Sequence, residues 1–136
     1  MSIEELFLRQ IDSLDGNIEV IVHPGQPMTC VSTGPFVWNI EHADRDAVIA
    51  MIATAMADPD RPLPPLQLVG GELFSAGGHI HERNGLVLQK QLYLASGPAF
   101  LKLHFGTGAL LVAALSEARA WSNHQKLAAP GEVASC

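Results

Sequence analysis

The sequence predicts a single α+β domain in which a twisted antiparallel sheet is packed by helices. Three observations carry that expectation. The chain has 136 residues, the size of one domain. Its apolar residues follow helical spacing near the start, middle and end of the chain, and strand-like spacing between. Asn84-Gly85 lies between runs of alternating apolar residues, a strong short-range signal for an antiparallel hairpin. The predicted order is helix-strand-strand-strand-helix-strand-strand-helix, over one domain spanning 1–127. The last residues, 128–136, lack periodicity and are expected to form a flexible tail.

The first helix is predicted over 2–14. Ser2 stands where an N-cap would, with Glu5 three residues later as in a capping box. Ile3, Leu6, Phe7, Ile11 and Leu14 make its apolar stripe, with Leu8 at the margin, and Asp15-Gly16 ends it. NIEVIVH (17–23) reads as a strand closed by the turn His23-Pro24-Gly25. MTCVSTG and PFVWNIE give two more strands divided at Gly34-Pro35. A second helix is predicted over 43–56, with Asp44 and Asp46 near its positive end. Its apolar residues cover an arc too wide for one neighbour.

DPDRPLPPLQ (58–67) holds four prolines in ten residues and must run extended. The hairpin follows, with strands near 78–82 and 86–93. The last helix is predicted to start between Pro98 and Thr107 and to end near His124, on the stripe Leu111, Ala114, Leu115, Ala118 and Trp121.

Apolar residues make up 48% of the chain and charged residues 16%, which argues against disorder and for a surface partly covered by a partner. The net charge is −6 and the basic residues are scattered singly. That pattern disfavours nucleic-acid phosphates and anionic membrane surfaces. SIEELFLRQIDSL is broken by charge and does not read as a secretory signal, and no segment reads as a bilayer span. Cys30 and Cys136 form no CxxC pair. The expectation is a soluble cytoplasmic protein with reduced thiols.

His79 and His81 raise the question of a metal. Residues i and i+2 of a strand face one side, so both imidazoles could touch one ion. A closed site needs further ligands, and the cupin spacing would place a Glu four or five residues after the second His. Glu82 follows His81 immediately and faces the other side, and positions 85 and 86 are Gly and Leu. No metal is therefore expected. GxSxG is absent, Cys30 lies within a predicted strand, and Gly70-Gly71 and Gly77-Gly78 lead into no Lys-bearing helix. His104 reads as a surface or cap residue, and Trp38 and Trp121 as core or interface aromatics. Neither a catalytic constellation nor a cofactor is predicted.

The element order resembles the class I chaperones of bacterial type III secretion systems. The local likeness runs from about residue 67 to 125, over LQLVGGELFSAGGHIHERNGLVLQKQLYLASGPAF and LLVAALSEARAWSN. There an apolar segment and a small-residue pair lead into a strand, a turn, a strand and a helix with A-x-x-W near its end. The subgroup it looks most like is that of the Salmonella invasion chaperones. The resemblance implies a homodimer that holds the N-terminal segment of a secreted effector or translocator and delivers it to the secretion ATPase. It places the dimer interface on Val48, Ile49, Ile52 and Met56. It places the cargo on Ile3, Leu6, Phe7, Leu8 and Ile11 of the first helix and on Val20, Val22 and Val31 of the strands. Two other readings stay open: a regulatory protein-binding module on the same scaffold, and a small metal-binding enzyme using His79 and His81.

Overall fold

The computed structural model describes residues 6–34 and 36–128. It is α+β, as predicted, with eight strands and two helices in the order β1 (Phe7–Ser13), β2 (Gly16–Val22), β3 (Met28–Thr33), β4 (Phe36–Glu41), α1 (His42–Ala57), β5 (Leu66–Gln67), β6 (Leu73–Arg83), β7 (Leu86–Ser96), β8 (Ala99–His104) and α2 (Phe105–Ala128). The strands form two antiparallel sheets, β1-β2-β3-β4 and β5-β6-β7-β8, each followed in sequence by its helix.

The predicted first helix is a strand over its described part; Ser2, Ile3 and Glu5 lie outside the described residues. Phe7 and Ile11, four apart, share a face in a helix and in a strand alike. The strand prevails because β1 pairs with β2 along its whole length, from Phe7↔Val22 to Ser13↔Gly16. The turn uses Gly16 at φ 103, a conformation that suits glycine. Phe7 and Ile11 then point inward, and Leu8, Gln10 and Asp12 lie exposed on the other face.

The second sheet is larger than predicted. β6 and β7 join through Asn84 (φ 53) and Gly85 (φ 79), the type I′ signature that Asn-Gly encodes. β8, which was not predicted, fills the residues just before α2, whose start at Phe105 falls within the predicted range. It turns back from β7 at Gly97-Pro98, where Gly97 has φ 56. A positive-φ glycine as the first of two loop residues closes a type II′ hairpin.

Each helix packs chiefly on the sheet of the other half. α1 lies on β6 and α2 on β1 and β2, and the two helices pack on each other. At Gly78 an added Cβ would come 2.2 Å from the Ala55 carbonyl oxygen, so α1 approaches β6 as closely as a glycine allows. The core joins Ile18, Val20, Val22, Val31 and Ile40 from the first sheet, Phe74, Leu92 and Leu94 from the second, Val48 and Ile52 from α1, and Leu111 and Leu115 from α2. Trp38 stacks on Phe74 at 5.2 Å, tying the sheets together.

This packing corrects two sets of projected contacts. Val20, Val22 and Val31 are 0–1% exposed and belong to the core, so they form no cargo surface; Phe7 and Ile11 are buried beneath α2. Val48, Ile49 and Ile52 are likewise core residues of one chain, and Met56 packs against that core. The wide apolar arc of α1 is used up by α2 and the two sheets, without a second copy. Among the described residues no helix is long and apolar enough to cross a membrane.

Candidate functional site

The two sheets meet at a cleft of about 560 Å3. One wall is β8, residues 100–103; the other is the start of β2, residues 15–19, with the end of β3, residues 32–34. The cleft exists because β2 and β3 pair only from Glu19↔Ser32 to Ile21↔Cys30 and splay beyond. β8 is the last strand of its sheet and pairs with β7 alone.

The orientation of the β8 main chain follows from one bond. His104 N–H donates to Asp15 Oδ2 at 2.8 Å and so points away from β7. Along an antiparallel strand successive residues alternate between facing the partner and facing away. Phe100 and Lys102 therefore also turn their N–H and C=O groups outward, over the cleft. Among the described residues no group pairs with them. Phe100 is 55% exposed, and its ring lies 6.2 Å from that of Tyr93.

Asp15 fixes the end of this cleft. From the β1–β2 turn its carboxylate accepts His104 N–H, His104 Nδ1–H at 2.8 Å and the Thr107 hydroxyl at 2.7 Å. A carboxylate here also faces the positive end of α2. Burial pushes the Asp15 carboxyl up, but the bonds from His104 and Thr107 and the charge of His104 outweigh it and hold it below the ordinary aspartate value. His104 has both ring nitrogens engaged, because Gln89 Nε2 donates to its Nε2 at 3.0 Å.

A second groove, about 440 Å3, runs between β1 and α2 beside Trp121. Of the projected cargo contacts, Leu6 and Leu8 lie here, 45% and 44% exposed, with the largely buried Phe7 in the same wall, next to the Arg9–Glu117 ion pair. Ile3 lies outside the described residues. Sequence reasoning missed the β8 cleft entirely. The signal for it was Gly97-Pro98 between YLAS and AFLKLH, a two-residue hairpin loop between alternating stretches.

His79 and His81 do share one face of β6, as the i, i+2 spacing requires, with ring centroids 4.3 Å apart and planes perpendicular. His79 Nδ1–H donates to Asp60 Oδ1 and His81 Nε2–H to Gln91 Oε1. Cys30 stands on the outer face of β3, half-buried, and burial pushes its thiol up, away from the reactive thiolate. Compared with models of protein families, with curated proteins and with solved structures, the chain finds no match in any of the three.

Proposed function

We propose that this protein is a non-catalytic binder of an extended polypeptide segment, acting as a chaperone that keeps a secreted protein's N-terminal region soluble and non-globular until export. The observation that carries this reading is the open edge of β8, where main-chain donors and acceptors at Phe100 and Lys102 face a cleft with no partner among the described residues. Main-chain groups left unpaired along a strand edge are a template for pairing, and an extended segment bonds them by adding one strand to the sheet. Phe100, exposed beside that edge, offers an apolar contact for alternate side chains of the segment. Leu6 and Leu8 in the groove beside α2 extend the apolar surface.

In this reading the chain acts in the bacterial cytoplasm, as a type III secretion chaperone does, and hands its cargo to the secretion ATPase. It works as a homodimer whose contact lies elsewhere than on α1. Leu86, Val87 and Leu88, three consecutive exposed apolar residues near the β6–β7 turn, are the candidates. A regulatory protein bound in place of cargo would use the same edge, and identification of the bound protein separates the two roles.

The test is light scattering on the purified chain mixed with N-terminal segments of candidate secreted proteins, with Lys102→Pro as the edge-blocking variant. Proline at position 102 removes an outward N–H and spares the ladder to β7, which edge strands tolerate. A stable complex with wild type that Lys102→Pro fails to form is expected. No complex with any segment, or equal uptake by the folded proline variant, refutes the proposal.

A further inference from the structure

We propose that His79 and His81 form a two-imidazole chelate for a borderline divalent cation of the nickel, copper and zinc class, on the exposed face of β6.

One nitrogen of each ring is left with a lone pair. A carboxylate only accepts, so the bond from His79 to Asp60 fixes a proton on Nδ1 and leaves a lone pair on Nε2. Gln91 Oε1 also only accepts, so the bond from His81 fixes a proton on Nε2 and leaves a lone pair on Nδ1. Among the described residues neither lone pair has a partner. Both rings lie on one face, 4.3 Å apart between centroids, and neither is buried: the His79 side chain is 45% exposed. An outer acceptor on the far nitrogen of each histidine is the arrangement that orients metal-binding imidazoles and raises their basicity.

Both acceptors are themselves held. Asp60 has φ 66, a backbone conformation that non-glycine residues seldom adopt. Its N–H donates to the Gly78 carbonyl and its carboxylate takes the Ile80 N–H as well as His79. The connector is thereby pinned along the edge of β6 with its carboxylate behind the His79 ring. Gln91 is buried and receives the Tyr93 hydroxyl on the same oxygen that receives His81. His104 makes the contrast within the same sheet: both its nitrogens are engaged, and it has no lone pair to offer.

No group of three His, Cys, Asp or Glu side chains converges among the described residues. The chelate therefore supplies two positions and water fills the others, which makes it an exchangeable site and not a closed structural one. Imidazole nitrogen selects nickel, copper and zinc over magnesium and calcium, with copper held tightest.

Titration calorimetry of the full chain with nickel and with zinc tests this. One ion per chain is expected, with no heat from magnesium. His79→Ala and His81→Ala each weaken binding more than tenfold. Asp60→Asn, a positioning change, weakens it about tenfold. His23→Ala and His124→Ala, at exposed histidines elsewhere, leave it unchanged. Paramagnetic broadening of amide signals by copper(II) in the wild-type chain locates the ion without any variant, so a misfolded variant does not spoil the test. Broadening centred on residues 79–81 supports the chelate. Broadening centred elsewhere, binding unaffected by both alanine variants, or no binding at millimolar metal overturns it.

Discussion

Asp15→Ala should destabilise the protein by about 3 kcal/mol, far more than a change in a β-turn ordinarily does. The carboxylate sits in the first hairpin yet bonds groups 89 and 92 residues away, at the junction of β8 and α2. Hydrogen bonds to a charged acceptor contribute about 1.5–3 kcal/mol each, and a buried donor left unpaired costs about 1–3 kcal/mol. The Thr107 hydroxyl, on a residue 4% exposed, would lose its acceptor with Asp15. The bond from the His104 ring counts for less, since that side chain is 36% exposed and screened. Asp15→Asn preserves the shape and one acceptor and should cost about 1–2 kcal/mol.

The pH dependence has a definite sign. The folded carboxyl lies below its ordinary value, so the folded state binds its proton less readily than the unfolded chain. Its contribution is full above the unfolded pKa, near 3.9. It fades as the pH falls through the folded value. Urea titrations from neutral pH to below pH 4 should therefore show the wild type converging on Asp15→Asn in acid. An alanine variant within about 0.5 kcal/mol of wild type, the scatter of neutral surface changes, would sink the reasoning. So would parallel acid profiles for wild type and Asp15→Asn.

Gly78→Ala should cost about 2–3 kcal/mol by chemical denaturation, because the added methyl meets the Ala55 carbonyl; Gly77→Ala, with nothing within 4 Å, should not show that clash. Ile52→Ala should destabilise by about 2–5 kcal/mol while light scattering shows an unchanged mass, since Ile52 is fully buried within one chain; a change of mass at full stability would return α1 to the interface. Fragments 1–61 and 62–136 should each lack cooperative unfolding by circular dichroism and regain it on mixing, because each helix finds its main sheet in the other fragment. Cooperative folding of either fragment alone refutes the cross-packing account.

What the sequence disclosed depended on whether the signal was local. The Asn84-Gly85 hairpin was legible because type I′ geometry needs positive φ at two consecutive residues and few pairs provide it. Strands β2, β3 and β4 and helix α1 were legible from period and turns. β1 was not, because Phe7 and Ile11 satisfy both periods, and the deciding fact is the seven-residue ladder to β2. Asp15-Gly16 suits a helix stop as well as the hairpin that it closes.

The site was hidden for a related reason. The cleft wall needs β8, and the lock at its end joins Asp15 to His104 and Thr107, residues with nothing in common in sequence. The wide apolar arc of α1 does signal more than one neighbour, and those neighbours lie within the chain. A wide arc counts the surfaces a helix must cover but does not say which chain they belong to. Here α1 crosses to β6 and α2 crosses to β1 and β2, so both helices are enclosed by a single copy. Among the surfaces left uncovered are main chain at the outer edge of β8 and apolar side chains at Leu6, Leu8, Phe100 and the β6–β7 tip. Partner binding must be argued from those surfaces, since the face that periodicity made conspicuous is already spent on the core.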